Sequence, residues 1–351
     1  MMTINETIAA VRPLDQQIME KAKKRWDSIA KPLHSLGKME DLIIQIAGIT
    51  GEFNVDIHKK ALVAMCADNG VVEEGVTQTG QEVTAIVADN FVRGTSTVCV
   101  MCQECGVDMK PVDIGMVTDA LARRDLKVAY GTRNMAKGPA MTREQAEQAI
   151  RAGITMAEEL KSQGYQILAT GEMGIGNTTT SSAVASVLLN QPVEKMTGRG
   201  AGLSSEGLLR KIHTIEKAIQ LNQPDPEDPV DVLAKVGGLD IAGLTGVYLG
   251  GAALGMPVVM DGFISCVAAL AARRMCELAG DYMIPSHMSK EPASRLLMEA
   301  LGKEPVIHGD MCLGEGTGAV ALFPFLDMGA KLYNTLSTFE DIHVEQYEEL
   351  K

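Results

Sequence analysis

The sequence predicts an α/β fold, a parallel sheet with crossover helices joined to a smaller helical unit made from both chain ends. Three observations carry this. Residues 61–67 (Ala-Leu-Val-Ala-Met-Cys-Ala) form a short continuous apolar run, as expected of a strand buried on both faces, and 109–114, 166–169 and 257–260 read similarly but less clearly. Helical stretches at 83–106, 143–162, 179–189 and 238–255 separate these strands, which points to parallel pairing. Asp68-Asn69-Gly70, the turn 171–177 and Asp261-Gly262 each follow a strand directly, and ligands collect at such strand ends.

Taken in order, the first 60 residues are charge-rich and helical in pattern, at 14–29 and 38–50. After the 61–67 strand, the 83–106 stretch reads as helix ending at Gly106, immediately before the strand-like 107–114. Residues 223–229 (Gln-Pro-Asp-Pro-Glu-Asp-Pro) form a proline-punctuated loop between helices. Residues 289–303 and 323–351 are helical and increasingly acidic. The expected division is a large α/β domain over 61–285, with 1–60 and 286–351 forming the small helical domain.

A chain of 351 residues accommodates one large α/β domain with an appendage, or two domains. Its 46% apolar and 22% charged residues are those of an ordinary soluble protein. Aromatics are only 4% while Gly (35) and Met (21) are plentiful, so the core is aliphatic and thioether. A net charge of −13 argues against a nucleic-acid surface, which needs clustered Lys and Arg, but not against one locally held small anion. No apolar run reaches the roughly 20 residues of a membrane span, and the N-terminus lacks a signal-peptide pattern. Seven cysteines in apolar stretches suit a reducing cytoplasm. Cys99, Cys102 and Cys105 form C-x-x-C-x-x-C on one broad helix face. Packing is the reading favoured for them, and metal binding the alternative.

Two glycine-rich turns carry the chemistry. Gly-Glu-Met-Gly-Ile-Gly-Asn-Thr-Thr-Thr at 171–180 holds Glu172 and a run of hydroxyls at a helix start, an anion site or a threonine-capped tight turn. It lacks the Gly-Lys-Ser/Thr of a P-loop and the third glycine of a dinucleotide fingerprint. Residues 197–202 (Thr-Gly-Arg-Gly-Ala-Gly) present Arg199, and Lys211 follows on the next helix; each is a solvated charge or a phosphate partner. Glu315 lies between Gly314 and Gly316 after the apolar Leu313. Partial desolvation there would raise its pKa and make it a better general base, while a helix-capping role is the alternative. The six histidines show no zinc spacing, and no Ser/His/Asp set or Gly-x-Ser-x-Gly elbow is present.

The ordered motifs resemble the nicotinate-nucleotide:5,6-dimethylbenzimidazole phosphoribosyltransferase family, which activates the lower ligand of cobamides. They are Lys31-Pro32-Leu33-His34-Ser35-Leu36-Gly37, Ala67-Asp68-Asn69-Gly70 through Gly80-Gln81-Glu82, and Gly131-Thr132-Arg133-Asn134-Met135. The turn at 171–180, Gly198-Arg199-Gly200, Asp261-Gly262-Phe263, Ser286-His287 and 313–319 follow. The resemblance covers roughly 31–325. It implies a Rossmann-like parallel sheet domain, a small helical domain built from both chain ends, and a dimer, homomeric or paired with a paralogue, whose sites draw on both subunits. It implies transfer of the 5-phosphoribosyl group of nicotinate mononucleotide to an aromatic base, without a cofactor. It makes Glu315 the general base and assigns substrate binding to Glu172, Gly174, Ile175, Gly176, Asn177, Thr178, Arg199, Lys211, Leu313, Gly314, Thr77, Gln81 and Ser286. The chain departs from the family pattern at Leu33-His34, at Asn69 in place of a histidine, and at Thr79-Gly80. The last two lie in the segment expected to face the acceptor. A subunit of a phenol- or p-cresol-activating relative is therefore the alternative, together with a non-catalytic partner subunit, which would have no use for Glu315.

Overall fold

The computed structural model describes residues 2–348. In chain order the first half holds α1 (Ile4–Ala10), α2 (Gln16–Ser28), α3 (Lys38–Thr50), β1 (Lys60–Ala67), α4 (Glu82–Arg93), α5 (Thr97–Cys105), β2 (Val107–Gly115), α6 (Arg143–Ser162) and β3 (Ile167–Met173). Then come α7 (Asn177–Leu188), α8 (Val193–Met196), α9 (Ser205–Asn222), α10 (Pro229–Val236), α11 (Leu239–Ala253) and β4 (Val258–Met260). The chain continues through α12 (Phe263–Met275), β5 (Met283–Pro285), α13 (Ser294–Leu301) and α14 (Thr317–Thr335). The strands form one sheet in the order β2-β1-β3-β4-β5, and every pairing is parallel.

β1 is central, and all eight of its residues are buried. Its alternation divides two cores. Ala61, Val63, Met65 and Ala67 face the cluster under α6, α11 and α12, while Leu62, Ala64 and Cys66 face the cluster under α3, α5 and α14. The two-sided apolar run is thus the direct cause of a sheet covered on both faces. α2 and α3 from one chain end meet α14 from the other, whereas α1 rests on α6 and α11, and α13 rests on α12.

Several elements differ from the sequence expectation. The stretch 83–106 is two helices, because Gly94 takes φ +72° to close α4 and Ser96 then caps α5, its Oγ accepting the Cys99 amide at 3.3 Å. β5, α1, α8, α10 and α12 have no counterpart among the expected elements; β5 has only three residues. α14 begins before 323 and ends at Thr335, so the helix expected over 323–351 does not extend through the described tail, and 349–351 lie outside the described residues. Cys99 and Cys102 are buried and Cys105 half-buried against the core of α5 and α14, and no cluster of metal-ligating side chains occurs among the described residues. None of the described helices is long and apolar enough to cross a membrane.

Candidate active site

The carboxyl ends of four strands deliver the polar groups: Asp68 and Asn69 after β1, Glu172 within the end of β3, Asp261 after β4, and Ser286 and His287 after β5. Between them lies a cavity of about 310 Å³, bounded by Glu172, Asn177, Asp261, His287, Glu291, Leu313 and Glu315 among others. A smaller space of about 100 Å³ opens beside it, lined by Thr77, Gly176, Arg199 and Lys211. Gly174, Ile175, Asn177, Thr178 and Gly200 line both.

Glu315 sits on a turn of three consecutive left-handed residues, Gly314 (φ +87°), Glu315 (φ +62°) and Gly316 (φ +94°). A non-glycine residue held there costs on the order of 1–2 kcal/mol, so the surrounding structure must enforce it. Two contacts do so. β3 runs directly beneath, where a Cβ added to Gly171 would lie 2.5 Å from the Glu315 carbonyl oxygen. Buried Asp261 caps α14, its Oδ2 accepting the Gly316 amide at 3.0 Å and its Oδ1 those of Gly318 and Ala319 at 2.8 and 3.3 Å. Asp261, not Glu315, therefore caps α14, while the Glu315 carboxylate accepts from the Val98 amide in the first turn of α5. Burial pushes the Glu315 carboxyl up, opposed by the Val98 amide at the start of α5 and reinforced by the Asp261 charge. Its Oε2 is buried without a partner. A half-desolvated carboxylate with an unused oxygen at a cavity wall has the form of a general base.

Glu172 is also buried. It accepts a hydrogen bond from Asn177 Nδ2 and a longer one, 3.4 Å, from the Glu315 amide. Asn177 Nδ2 also donates to Asp240 Oδ2 at 3.1 Å, which joins two acids through one amide. Burial first, then the neighbouring negative charge, pushes Glu172 to about 8; burial pushes Asp240 to about 7. Lys211 is fully buried, donates to Thr178 Oγ1 at 2.9 Å and to the Gly198 carbonyl at 3.2 Å, and forms no salt bridge among the described residues. Burial lowers its pKa to about 8, with Glu291 opposing. A buried ammonium whose hydrogen-bond partners are neutral oxygens is completed by an anion.

The helix start at 177–180 is less open than the sequence suggested. Thr178 faces Lys211, but Thr179 and Thr180 point into the core, where the Thr180 hydroxyl donates to the Asn177 carbonyl at 3.1 Å. The Ile175 amide donates to Thr84 Oγ1 at 3.1 Å. The cavities are lined by Glu172, Gly174, Ile175, Gly176, Asn177, Thr178, Arg199, Lys211, Leu313, Gly314, Glu315 and Thr77. Two expected residues are elsewhere. Gln81 turns its Nε2 to the Asn69 carbonyl at 3.2 Å, and buried Ser286 donates to the Met260 carbonyl beneath the floor. Arg199 is exposed and its guanidinium is bound by the Leu203 carbonyl and Ser205 Oγ at 2.7 and 3.0 Å. Sequence reasoning missed Asp240, Glu291 and the capping role of Asp261. A lone acid near the start of the otherwise apolar α11 is the signal that marks Asp240.

A phosphoribosyltransferase family profile matches residues 11–344. The nicotinate-nucleotide–dimethylbenzimidazole phosphoribosyltransferase of Acetivibrio thermocellus is 49% identical over 98% of this chain and 98% of its own. The chain belongs to that family. The enzyme of the same name from Ruminiclostridium cellulolyticum is 48% identical over 100% of both chains. Crystal structures of CobT and of nicotinate-nucleotide-dimethylbenzimidazole phosphoribosyltransferase from Thermus thermophilus share its fold with TM-scores of 0.89, at 37% and 36% identity, covering 94% and 95% of this chain and 100% of theirs. The expected α/β class with a parallel sheet thus stands on both the strand order and these phosphoribosyltransferase neighbours.

Proposed function

We propose that the protein transfers the 5-phosphoribosyl group of nicotinate mononucleotide to 5,6-dimethylbenzimidazole, releasing nicotinate and forming an α-riboside 5′-phosphate for cobamide synthesis. The single observation that carries this reading is the Glu315 carboxylate. It has a partnerless buried oxygen at the wall of a cavity that adjoins a smaller space lined by the buried cation Lys211. Nicotinate leaves from a positively charged N-glycosidic pyridinium, so it needs neither a proton nor a metal to depart. What the reaction requires is a base for the acceptor N–H and donors for the phosphate. Glu315 removes the acceptor proton as the ring nitrogen attacks C1′ from the face opposite the pyridinium, which inverts that centre. Lys211 and the Thr178 hydroxyl bind the 5′-phosphate, and Leu313, Met173 and Phe263 supply the apolar wall on which an aromatic acceptor lies.

The acceptor follows the relatives named for dimethylbenzimidazole. Assay of the purified chain with nicotinate mononucleotide and, in turn, 5,6-dimethylbenzimidazole and phenol tests it. The expected result is turnover with the benzimidazole, and turnover with phenol alone would overturn the choice of acceptor.

The lowered pKa of Lys211 predicts a pH dependence of donor binding. The free ammonium is present below about 8 and lost above it. The Kd for nicotinate mononucleotide should therefore rise above that pH, by up to about tenfold per unit, with proton uptake on binding. Calorimetry in two buffers of different ionisation enthalpy checks this. In Lys211→Met the affinity should be weak throughout and the dependence above pH 8 absent.

A further inference from the structure

Four carboxylates reach the larger cavity, Glu172, Asp261, Glu291 and Glu315, and three are occupied by tasks already described. Glu172 is bound by Asn177 and the Glu315 amide, Asp261 caps α14, and Glu315 faces the acceptor. Glu291 remains. It lies just before α13, and its Oε2 is buried with no hydrogen-bond partner. The carboxylate is pressed against the 198–200 loop so closely that a Cβ added to Gly198 would fall 1.9 Å from Oε2. Burial pushes the Glu291 carboxyl up, opposed by the Lys211 charge and by the Gly200 amide, which donates to the carboxylate. A buried carboxylate oxygen left without a donor is costly, and the position of Oε2 is therefore suited to a ligand that brings donors.

The position of Glu291 identifies those donors. Gly200, Gly174 and Thr178 line both spaces, so Glu291, beside Gly200, stands at the join between the Lys211 end and the Glu315 end. A mononucleotide with its phosphate at Lys211 and its C1′ at the acceptor side must place its sugar at that join. The sugar carries vicinal hydroxyls, which a carboxylate can accept together. The ribose also gives Lys211 and Glu291 distinct partners, phosphate for one and diol for the other.

We infer that Glu291 accepts the ribose hydroxyls of the phosphoribosyl donor and makes the site selective for a ribonucleotide over a deoxyribonucleotide. This rests on the function proposed above. Binding is the proper readout, because removing a hydroxyl also changes the intrinsic reactivity of the glycosidic bond. Calorimetry without acceptor compares nicotinate mononucleotide with its 2′-deoxy and 3′-deoxy analogues, on the wild-type protein and on Glu291→Gln and Glu291→Ala. Loss of a hydrogen bond to a charged group predicts a Kd about 10- to 100-fold weaker for at least one analogue on wild type. Each variant should bind the ribonucleotide about tenfold or more weakly and reduce its preference over the analogues to within about threefold. Equal wild-type affinity for all three ligands, or full preference retained in Glu291→Gln, overturns the assignment. The wild-type comparison decides the matter even where a variant fails to fold. Turnover of the ribonucleotide with dimethylbenzimidazole is measured alongside. Turnover without hydroxyl preference overturns this assignment alone, whereas absence of both turnover and binding overturns the function and the assignment with it.

Discussion

Glu315→Gln lowers kcat with 5,6-dimethylbenzimidazole by about 10²- to 10⁴-fold, the usual contribution of a general base, and leaves the Kd for nicotinate mononucleotide within about threefold of wild type. The substitution keeps the shape of the side chain and its backbone, which Asp261 and Gly171 fix independently. What it removes is the capacity to accept a proton. Because burial raises the Glu315 carboxyl, the wild-type kcat rises with pH as that group ionises, and the glutamine variant loses this limb. Steady-state kinetics across pH checks both parts. A variant within about threefold of wild type in kcat would show that another group takes the proton.

Gly171→Ala has the second large effect, although residue 171 lies within β3 and touches no proposed substrate atom. The new methyl carbon would meet the Glu315 carbonyl oxygen at 2.5 Å, its carbonyl carbon at 2.9 Å and the Gly316 nitrogen at 3.1 Å. All three are backbone atoms, so no rotamer change relieves the clash, and either β3 or the 314–316 turn must shift. Overpacking of this kind costs about 1–3 kcal/mol, and a displacement near 1 Å at a reacting group costs about 10²-fold in rate. The expected result is a lowered Tm together with a kcat about 10²-fold down. An alanine variant with wild-type Tm and kcat would mean that the close approach of β3 to the turn does not position Glu315.

The elements legible in the sequence are those whose local signal and tertiary surroundings agree. β1 reads as a buried strand because both of its faces do meet a core. α6 matches its expected bounds because Thr142 and Gln145 form a capping box at its start. β5 is not readable, since three residues, Met-Ile-Pro, give no periodicity. The break between α4 and α5 is present in Gly94 and Ser96, but the apolar pattern continues across it and conceals it. The glycine-rich turns bearing Glu172 and Glu315 are legible because glycine marks positive φ and close approach. The partners of those acids are not. Asp261 lies 55 residues from the Gly316 amide it binds, and Asp240 lies 63 residues from Asn177. No spacing rule links residues that far apart; only the sheet order brings them together.

At the centre of this reading is a cavity that joins a phosphoribosyl group to an aromatic base with inversion at C1′. Incubation of the purified chain with nicotinate mononucleotide and 5,6-dimethylbenzimidazole, followed by mass spectrometry and proton NMR of the anomeric centre, tests it most directly. The predicted products are nicotinate and, in equimolar amount, an α-configured dimethylbenzimidazole riboside 5′-phosphate. A β-configured product, or nicotinate released without any riboside, would contradict it.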